Sequence, residues 1–386
     1  MKFCICGDFA PKEVDQGINF SKDKTTIRML NGEYRDIFSQ ISDELLGSDV
    51  NMVNVETTLL TEGKNIIKNG AIIVDHPKWA ELLAAGGFNV ALTANNHIGD
   101  FGGEGTLKTL EVLKNAGLQT VGTGANREEA EKILYVEKHG QIMAIINACE
   151  HEYGLAGKDR AGAMHIEPFT LIRKIKEAKS KADFVVVVLH GGSEHIAIPS
   201  PRIKRLLRGL AENGADMVVN NHQHCPMAYE LWNGVPIFYS MGNLVFAPAD
   251  DSGMWNYGYM ISAEWKQGKL DFEIIPYFYD GEKVSRFSGE KKEYFMKYMD
   301  MLAKYSFDEE ISNEFWLAWC YKNGPYFDEV AKKNINFKKN SYNCEAHCEV
   351  LGTYYEEYVE NGRKPNQKYL NYISEIMNYK IVEIKE

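Results

Sequence analysis

The sequence has no long hydrophobic run. The apolar start, MKFCICGDFA, is broken by Gly7 and Asp8, and no later segment approaches the roughly 18 consecutive apolar residues of a membrane-spanning helix. Neither a signal peptide nor a transmembrane segment is therefore expected. A disulfide framework is also lacking. The seven cysteines are odd in number and show no framework spacing, which fits a reducing compartment and gives cytoplasmic as the expected location. There is no positive excess either: 43 Lys and Arg stand against 54 Asp and Glu, for a formal net charge of -11. Proteins that grip a nucleic-acid backbone usually present a basic face, so the charge argues against nucleic acid as a partner. Low-complexity tracts and internal repeats are missing as well.

What is present is an ordinary globular composition, 45% hydrophobic and 25% charged over 386 residues. That suffices for one large domain plus an extension, or for two domains. Short β-branched or apolar runs that end in polar or Gly residues read as buried strands. They are Lys2 to Cys6, Val50 to Val55, Val90 to Thr93, Ile142 to Ala148, Phe184 to Leu189, Met217 to Val219 and Pro236 to Ser240. Between them lie helical spacings, such as Ile37, Ile41 and Leu45, or Leu206 and Leu210 after the start signal at Pro201. This alternation predicts a layered α/β domain. Gly258 to Trp265 and Lys269 to Tyr279 flank the turn signal Gln267-Gly268 and predict a hairpin in a second sheet. From about Ser285 Tyr and Phe become frequent among Lys and Glu, while Gly becomes sparse. Residues 1–284 are accordingly read as one domain. Residues 285–386 are read as a helical, aromatic-rich extension packed on it or on another subunit. The basic run Arg202, Lys204, Arg205 and Arg208 is expected to form a solvated helix face.

The chemistry lies at the strand ends. Asp8 follows the first strand; Asn54 and Glu56 lie at and just past the second. Asn95-Asn96-His97 follows the third, with Asp100 three residues on. His190 follows the fifth, and Asn221-His222-Gln223-His224 the sixth. Ligands of open α/β sheets collect outside the carboxyl ends of the strands, so these groups are expected in one region. Carboxylate and amide oxygens suit Mn or Mg, and imidazole extends the range to Zn or Fe. A bridging carboxylate can hold two cations roughly 3.5–4 Å apart, enough to clamp a phosphoryl group and activate water. Taken singly, a strand-end Asp or Asn is usually a turn or cap residue, and a lone His97 would be structural. His222 and His224 would face the same side if the segment is extended. Convergence of several such groups favours the functional reading.

Other signals are weaker. Cys344-Glu345-Ala346-His347-Cys348 supplies at most three zinc ligands and reads as helix packing, and Cys225 reads as a small apolar filler. The aromatics Trp232, Trp255, Tyr257, Tyr259, Trp265, Tyr277, Phe278 and Tyr279 read as core rather than as a substrate platform. Gly122-Thr123-Gly124 is too short for a phosphate loop.

The motifs Asp8, Asn54-Val55-Glu56, Asn95-Asn96-His97 with Asp100, His190-Gly191-Gly192-Ser193-Glu194, Gly214-Ala215-Asp216 leading to His222-Gln223-His224, and Tyr239-Ser240-Met241-Gly242-Asn243 occur in this order. Over about residues 1 to 250 they resemble the successive motifs of the capsule-synthesis CapA family, named for poly-γ-glutamate capsule and part of the metallophosphatase-like (calcineurin-like) superfamily. The resemblance implies a four-layer α/β/β/α sandwich and a divalent-metal site holding one or two ions, with Mn, Zn, Fe or Mg as candidates. It implies Asp8, Glu56, Asn96, His190, His222 and His224 as ligands, His97 as the general acid or a phosphate-contacting histidine, and Asp100 as the group that orients His97. The sequence also departs from the pattern. Ala10 stands where phosphoesterases carry the His of Asp-x-His, Glu56 replaces a bridging Asp, and Asn220-Asn221 replaces the usual Gly-His. The implied activity is a metal-dependent hydrolase acting on phosphoester or cell-surface polymer bonds. The alternative is a non-catalytic capsule-biosynthesis component that holds an anionic polymer. Expected partners are an anionic polymer or phosphoester substrate, and a second copy or a capsule-machinery protein bound through the C-terminal helices.

Overall fold

Period-two alternation explains the layering. In the first strand, β1 (Lys2–Ala10), Phe3 and Ile5 belong to one apolar core and Cys4 and Cys6 to another, because successive side chains point to opposite faces. The computed structural model describes residues 1–12, 18–68, 70–247, 253–333 and 335–379. In it β1 is joined in parallel to β2 (Val50–Val55), which pairs β3 (Val90–Leu92), which pairs β4 (Gln119–Val121).

A second sheet is built from β5 (Leu134–Lys138), β6 (Gln141–Cys149), β7 (Phe184–His190), β8 (Met217–Asn221), β9 (Tyr229–Trp232) and β10 (Val235–Phe238). Its spatial order is β9-β10-β8-β7-β6-β5. The chain then returns to the first sheet as β11 (Asn243–Phe246), β12 (Tyr257–Lys266), β13 (Lys269–Tyr279) and β14 (Val284–Arg286). That sheet reads β14-β13-β12-β1-β2-β3-β4, with β11 also alongside β1. The expected hairpin is β12–β13. Gln267 and Gly268 both take positive φ (53° and 75°) at its turn, as a two-residue hairpin turn demands.

The inner faces of the two sheets share one core, marked by Phe3 stacked on Phe184 at 5.7 Å. Outside the first sheet lie α1 (Lys78–Ala85) and α2 (Gly102–Asn115), whose Trp79, Leu83 and Leu113 join the Cys4 and Cys6 cluster. Outside the second lie α3 (Pro168–Lys179) and α4 (Pro201–Glu212), which bury Leu171, Ile175, Ile203 and Leu207. This is the expected helix–sheet–sheet–helix sandwich.

Several boundaries differ from expectation, with a common cause. The first strand does not stop at Cys6. It continues to Ala10, so Asp8 lies inside it. Pairing shifts register between Cys6 and Asp8 toward β2, and between Asp8 and Phe9 toward β11. Such irregularities re-aim a side chain without ending the strand. His190 and Asn221 likewise belong to their strands rather than following them. Polar side chains marked the site, not the end of the backbone ladder.

Beyond residue 285 the chain is helical as expected: α5 (Gly289–Phe307), α6 (Glu309–Lys333), α7 (Ile335–Asn343), α8 (Glu345–Tyr354) and α9 (Gln367–Met377). The last part of that expectation, residues 380–386, lies outside the described residues. The helices pack on the sandwich: Phe295, Leu302, Phe315, Trp316, Val350 and Ile373 share its core with Ile203 and Leu207. Of the basic run on α4, Arg205 alone is exposed as the sequence suggests; the other three are partly or fully covered. Lys204 is buried and donates to the Ser306 carbonyl (3.0 Å) and to Ser312 Oγ (2.6 Å) of the extension. Arg202 lies between Glu150 (2.7 Å) and Glu349 (3.1 Å). Arg208 pairs with Glu230 and covers the Trp232 ring at 4.1 Å. Charge on a helix faces water only where no later segment covers it.

Candidate metal centre

Parallel pairing brings the candidate residues together. Asp8 is in register with Asn54 on β2, and His190 with Asn221 on β8. Glu56 follows β2 directly. Close approach of β1 to the segment before β11 requires glycine: a Cβ on Gly7 would lie 1.8 Å from the Gly242 carbonyl oxygen. The loop after β8 is not extended. His222 (φ 103°) and His224 (φ 55°) both have left-handed backbones, a conformation that costs about 1–3 kcal/mol per residue and concentrates at functional sites. The bends, not strand alternation, turn both imidazoles toward Glu56.

Glu56 is the hub. It is fully buried, and neither carboxylate oxygen has a hydrogen-bond partner among the described residues. Its Oε1 lies 3.4 Å from His190 Nε2, 3.8 Å from His224 Nε2 and 4.0 Å from His97 Nε2. His190 Nε2 in turn lies 3.0 Å from both Asn96 Oδ1 and His222 Nδ1. Two groups of donors share Glu56: Asp8, Glu56 and His190, and Glu56, His222 and His224. The donor atoms within each lie within 4.8 Å of one another. A buried acceptor with no donor and converging imidazole nitrogens are what a divalent cation satisfies, so the residues fit the implied metal.

The electrostatics agree. Burial first, and then Glu56, push the Asp8 carboxyl up to about 7. Burial, followed by Glu194 and Glu152, pushes Glu56 well up. Burial and neighbouring imidazoles hold His222 and His224 well down. Carboxylates that resist ionising and imidazoles that resist protonation are together a site short of one kind of charge, a cation.

Supporting contacts orient the ligands. The Asn243 amide donates to the Trp255 carbonyl at 3.0 Å, which turns its Oδ1 toward His224 Nδ1 at 2.9 Å. That acceptor places the His224 proton on Nδ1 and leaves Nε2 free to coordinate. Asn54 Nδ2 lies 2.6 Å from Asp8 Oδ1 and 3.1 Å from His190 Nδ1, a bracing role rather than a ligand's. Ala10 packs with Ile73 and Phe246, so the missing histidine position is filled by hydrocarbon.

His97 and Asp100 pair as expected, Nδ1 to Oδ2 at 2.8 Å. Sequence reasoning missed their third member. Lys68 Nζ is buried 2.6 Å from Asp100 Oδ1 and 3.1 Å from His97 Nδ1. Lys68 sits in the non-repetitive stretch between β2 and α1, where no periodicity or motif singles it out.

Above the centre opens a cavity of about 690 Å³. Lys68, His97, Glu152, Glu194 and Trp255 line it together with Trp319, Asn340 and His347 of the extension. Of the sandwich aromatics, Tyr257, Tyr259, Tyr277 and Tyr279 are buried core, as expected, whereas Trp255 faces the cavity. The Cys344–Cys348 segment forms no zinc corner among the described residues: Cys344 is buried, and Cys348 is exposed and donates to the Tyr342 carbonyl. Among the described residues no helix is long and apolar enough to cross a membrane.

Comparison with known proteins bears on the sandwich as far as β11. The profile of a family described as "Bacterial capsule synthesis protein PGA_cap" matches residues 2–248. Over 219 residues the chain is 32% identical to a capsule biosynthesis protein CapA of Bacillus anthracis, covering 54% of this chain and 53% of that one. Over 196 residues it is 35% identical to a PGA biosynthesis protein CapA of Bacillus subtilis, covering 49% and 50%. The chain spans about half the length of the curated relatives it matches. A solved phosphatase from Mycoplasma pneumoniae superposes with a TM-score of 0.46 at 14% identity, covering 74% of this chain and 94% of that one.

Proposed function

Because the chain belongs to the bacterial capsule synthesis family PGA_cap, we propose that it is a metal-dependent hydrolase of capsule or polysaccharide metabolism, with phosphoesters the first substrates to test. The observation that carries this reading is Glu56, fully buried with both oxygens unpartnered and three imidazoles within 4.0 Å. Asp8, Glu56, Asn96, His190, His222 and His224 would hold one or two divalent ions. A bound divalent ion supplies Lewis acidity toward a phosphoryl or carbonyl oxygen and makes water nucleophilic at neutral pH.

The chain's own residues do the rest. Asp100 accepts from His97 Nδ1 and fixes the ring with Nε2 toward the centre, 4.0 Å from Glu56. His97 can pass a proton from Nε2 to the leaving oxygen only as the imidazolium. Burial and the Lys68 charge hold its pKa below the ordinary histidine value, while Asp100 favours the charged form. Lys68 holds Asp100 ionised and in place through its 2.6 Å contact. The seven free cysteines support a reducing compartment for this chemistry.

The test is turnover of bis(p-nitrophenyl) phosphate and p-nitrophenyl phosphate with Mn and with Zn, against chelator-treated protein. Metal-dependent hydrolysis above background supports the reading. Retention of an anionic polymer with no rate above background would instead favour the non-catalytic capsule component.

A further inference from the structure

We infer that His151, His165 and Glu345 form a second metal site, a zinc clasp between the sandwich and the helical extension. The three residues come from separate places in the chain: the bend after β6, the bridged segment before α3, and the first residue of α8. A ring nitrogen of each histidine and a carboxylate oxygen of Glu345 all lie within 4.8 Å of one another. His165 Nε2 is 2.7 Å from Glu345 Oε1, and the two imidazoles stand edge to face with centroids 5.4 Å apart. Zinc bonds to N and O of about 2.0–2.2 Å place two ligand atoms of one tetrahedral ion roughly 3.3 Å apart, so modest side-chain rotations draw this triangle onto an ion. The cluster around Glu56 uses none of these residues, and the clasp stands whether or not that cluster is hydrolytic.

The backbone braces the ligands. Glu345 Oε2 accepts from the His151 amide at 2.8 Å, which leaves Oε1 for the ion. His165 is fixed against the end of β6: the Cys149 amide donates to the Met164 carbonyl at 2.9 Å, and the Ile166 amide to the Cys149 carbonyl at 2.8 Å. Metal ligands are commonly held by such outer contacts. The ligands can also be reached from solvent, since the His165 and Glu345 side chains are 36% and 29% exposed. The His151 ring makes no hydrogen bond among the described residues. Burial, then the His165 ring, hold His151 below the ordinary histidine value, with Lys339 and Arg160 adding to this against Glu345. Its lone pair is therefore available at neutral pH. Without an ion His165 Nε2 donates to Glu345; with one, the proton sits on Nδ1 and Nε2 coordinates.

The donor set selects the ion. Two imidazoles and one carboxylate suit zinc and leave a fourth position for water, whereas Mn stands at the weak end of the divalent series. The nearby charges of Lys339 and Arg160 further disfavour an ion held mainly by electrostatics, such as Mg. A half-exposed site with three protein ligands holds zinc only while zinc is supplied, so protein prepared in Mn and desalted carries no ion there. His347, two residues beyond Glu345, and Glu152, next to His151, line the cavity. The clasp thus fixes the extension to the sandwich beside the cavity.

The experiment uses the full chain carrying Glu56→Gln, which disables the central cluster. It is stripped with chelator and titrated with Co, a spectroscopic stand-in for zinc, and then with Zn in competition. His151→Ala and His165→Gln are added to it in turn; Gln still donates to Glu345 but is a poor zinc ligand, which separates the ion from the hydrogen bond. The expected result is one equivalent of Co with the visible absorption of a four-coordinate site, displaced by one equivalent of Zn. Each added variant weakens binding by at least about tenfold. Zinc raises the melting midpoint and slows proteolysis within α8 only where all three ligands remain. No Co absorption, an affinity that neither variant moves, or zinc stabilisation that survives His165→Gln would overturn the inference. If Glu56→Gln does not fold, wild type and His165→Gln are compared for zinc content, and a difference of one equivalent supports the clasp while equal content overturns it. Absence of turnover with any phosphate contradicts the hydrolase reading alone, since zinc at the clasp is read without catalysis.

Discussion

At the residue scale, Asp8, His190, His222 and His224 could be picked out because their type is unusual at the end of a buried strand, and Asn96-His97-Asp100 because the spacing brings imidazole and carboxylate together. Their roles separate in the structure: Asn54 braces Asp8 and His190, while Glu56 sits among three imidazoles. Lys68 was not legible, because a lysine in an irregular segment looks like any solvated lysine until the fold buries it against Asp100. If His97 delivers the proton, His97→Ala lowers kcat by about 100-fold or more while metal content stays at the wild-type level. Stopped-rate assays on the p-nitrophenyl esters check this, and full retention of kcat would remove His97 from the mechanism. Lys68→Met leaves Asp100 buried without its cation. It is expected to lower kcat through a misplaced His97, by about tenfold, with KM little changed.

At the scale of elements, strands and helices followed from periodicity, and the hairpin from Gln267-Gly268. What covers what did not. The basic stripe of α4 looked like a wet face because sequence carries no sign that Glu349, Ser306 and Ser312 return to meet it. Arg202→Ala leaves Glu150 and Glu349 without their shared cation. It is expected to cost about 2 kcal/mol, read as a lower urea midpoint together with faster proteolysis within α8. An unchanged midpoint would mean that apolar packing alone docks the extension. A second tie is pH-sensitive. Glu345 accepts from His165 Nε2 at 2.7 Å and from the His151 backbone amide at 2.8 Å. Burial alone would raise this carboxyl, but these two hydrogen bonds, together with its own backbone amide and the His165 charge, outweigh it and hold it below the ordinary glutamate value. An acid whose folded value is depressed stabilises above its unfolded value, about 4.3, and that stability is lost as pH falls further. Acid unfolding followed at α8, for wild type and Glu345→Gln, should therefore converge at low pH and separate above about pH 4.5, with wild type the more stable.

At the scale of the whole molecule, the family profile matches residues 2–248, the sandwich as far as β11. The helices from Gly289 onward pack into the same core and wall the cavity. The four layers were legible because alternation of buried strands with amphipathic helices admits few architectures. The walling of the cavity was not, because aromatic-rich helices read the same whether they meet the sandwich or a second copy. Everything turns on whether the buried cluster around Glu56 is a metal centre, and elemental analysis of wild type and Glu56→Gln, purified side by side with Mn and then desalted, measures that directly. The account predicts one or two equivalents of divalent metal per wild-type chain and under about a tenth of that in the variant, since Gln keeps the shape but removes the shared carboxylate. Equal metal in both proteins, or none above background in either, would contradict it.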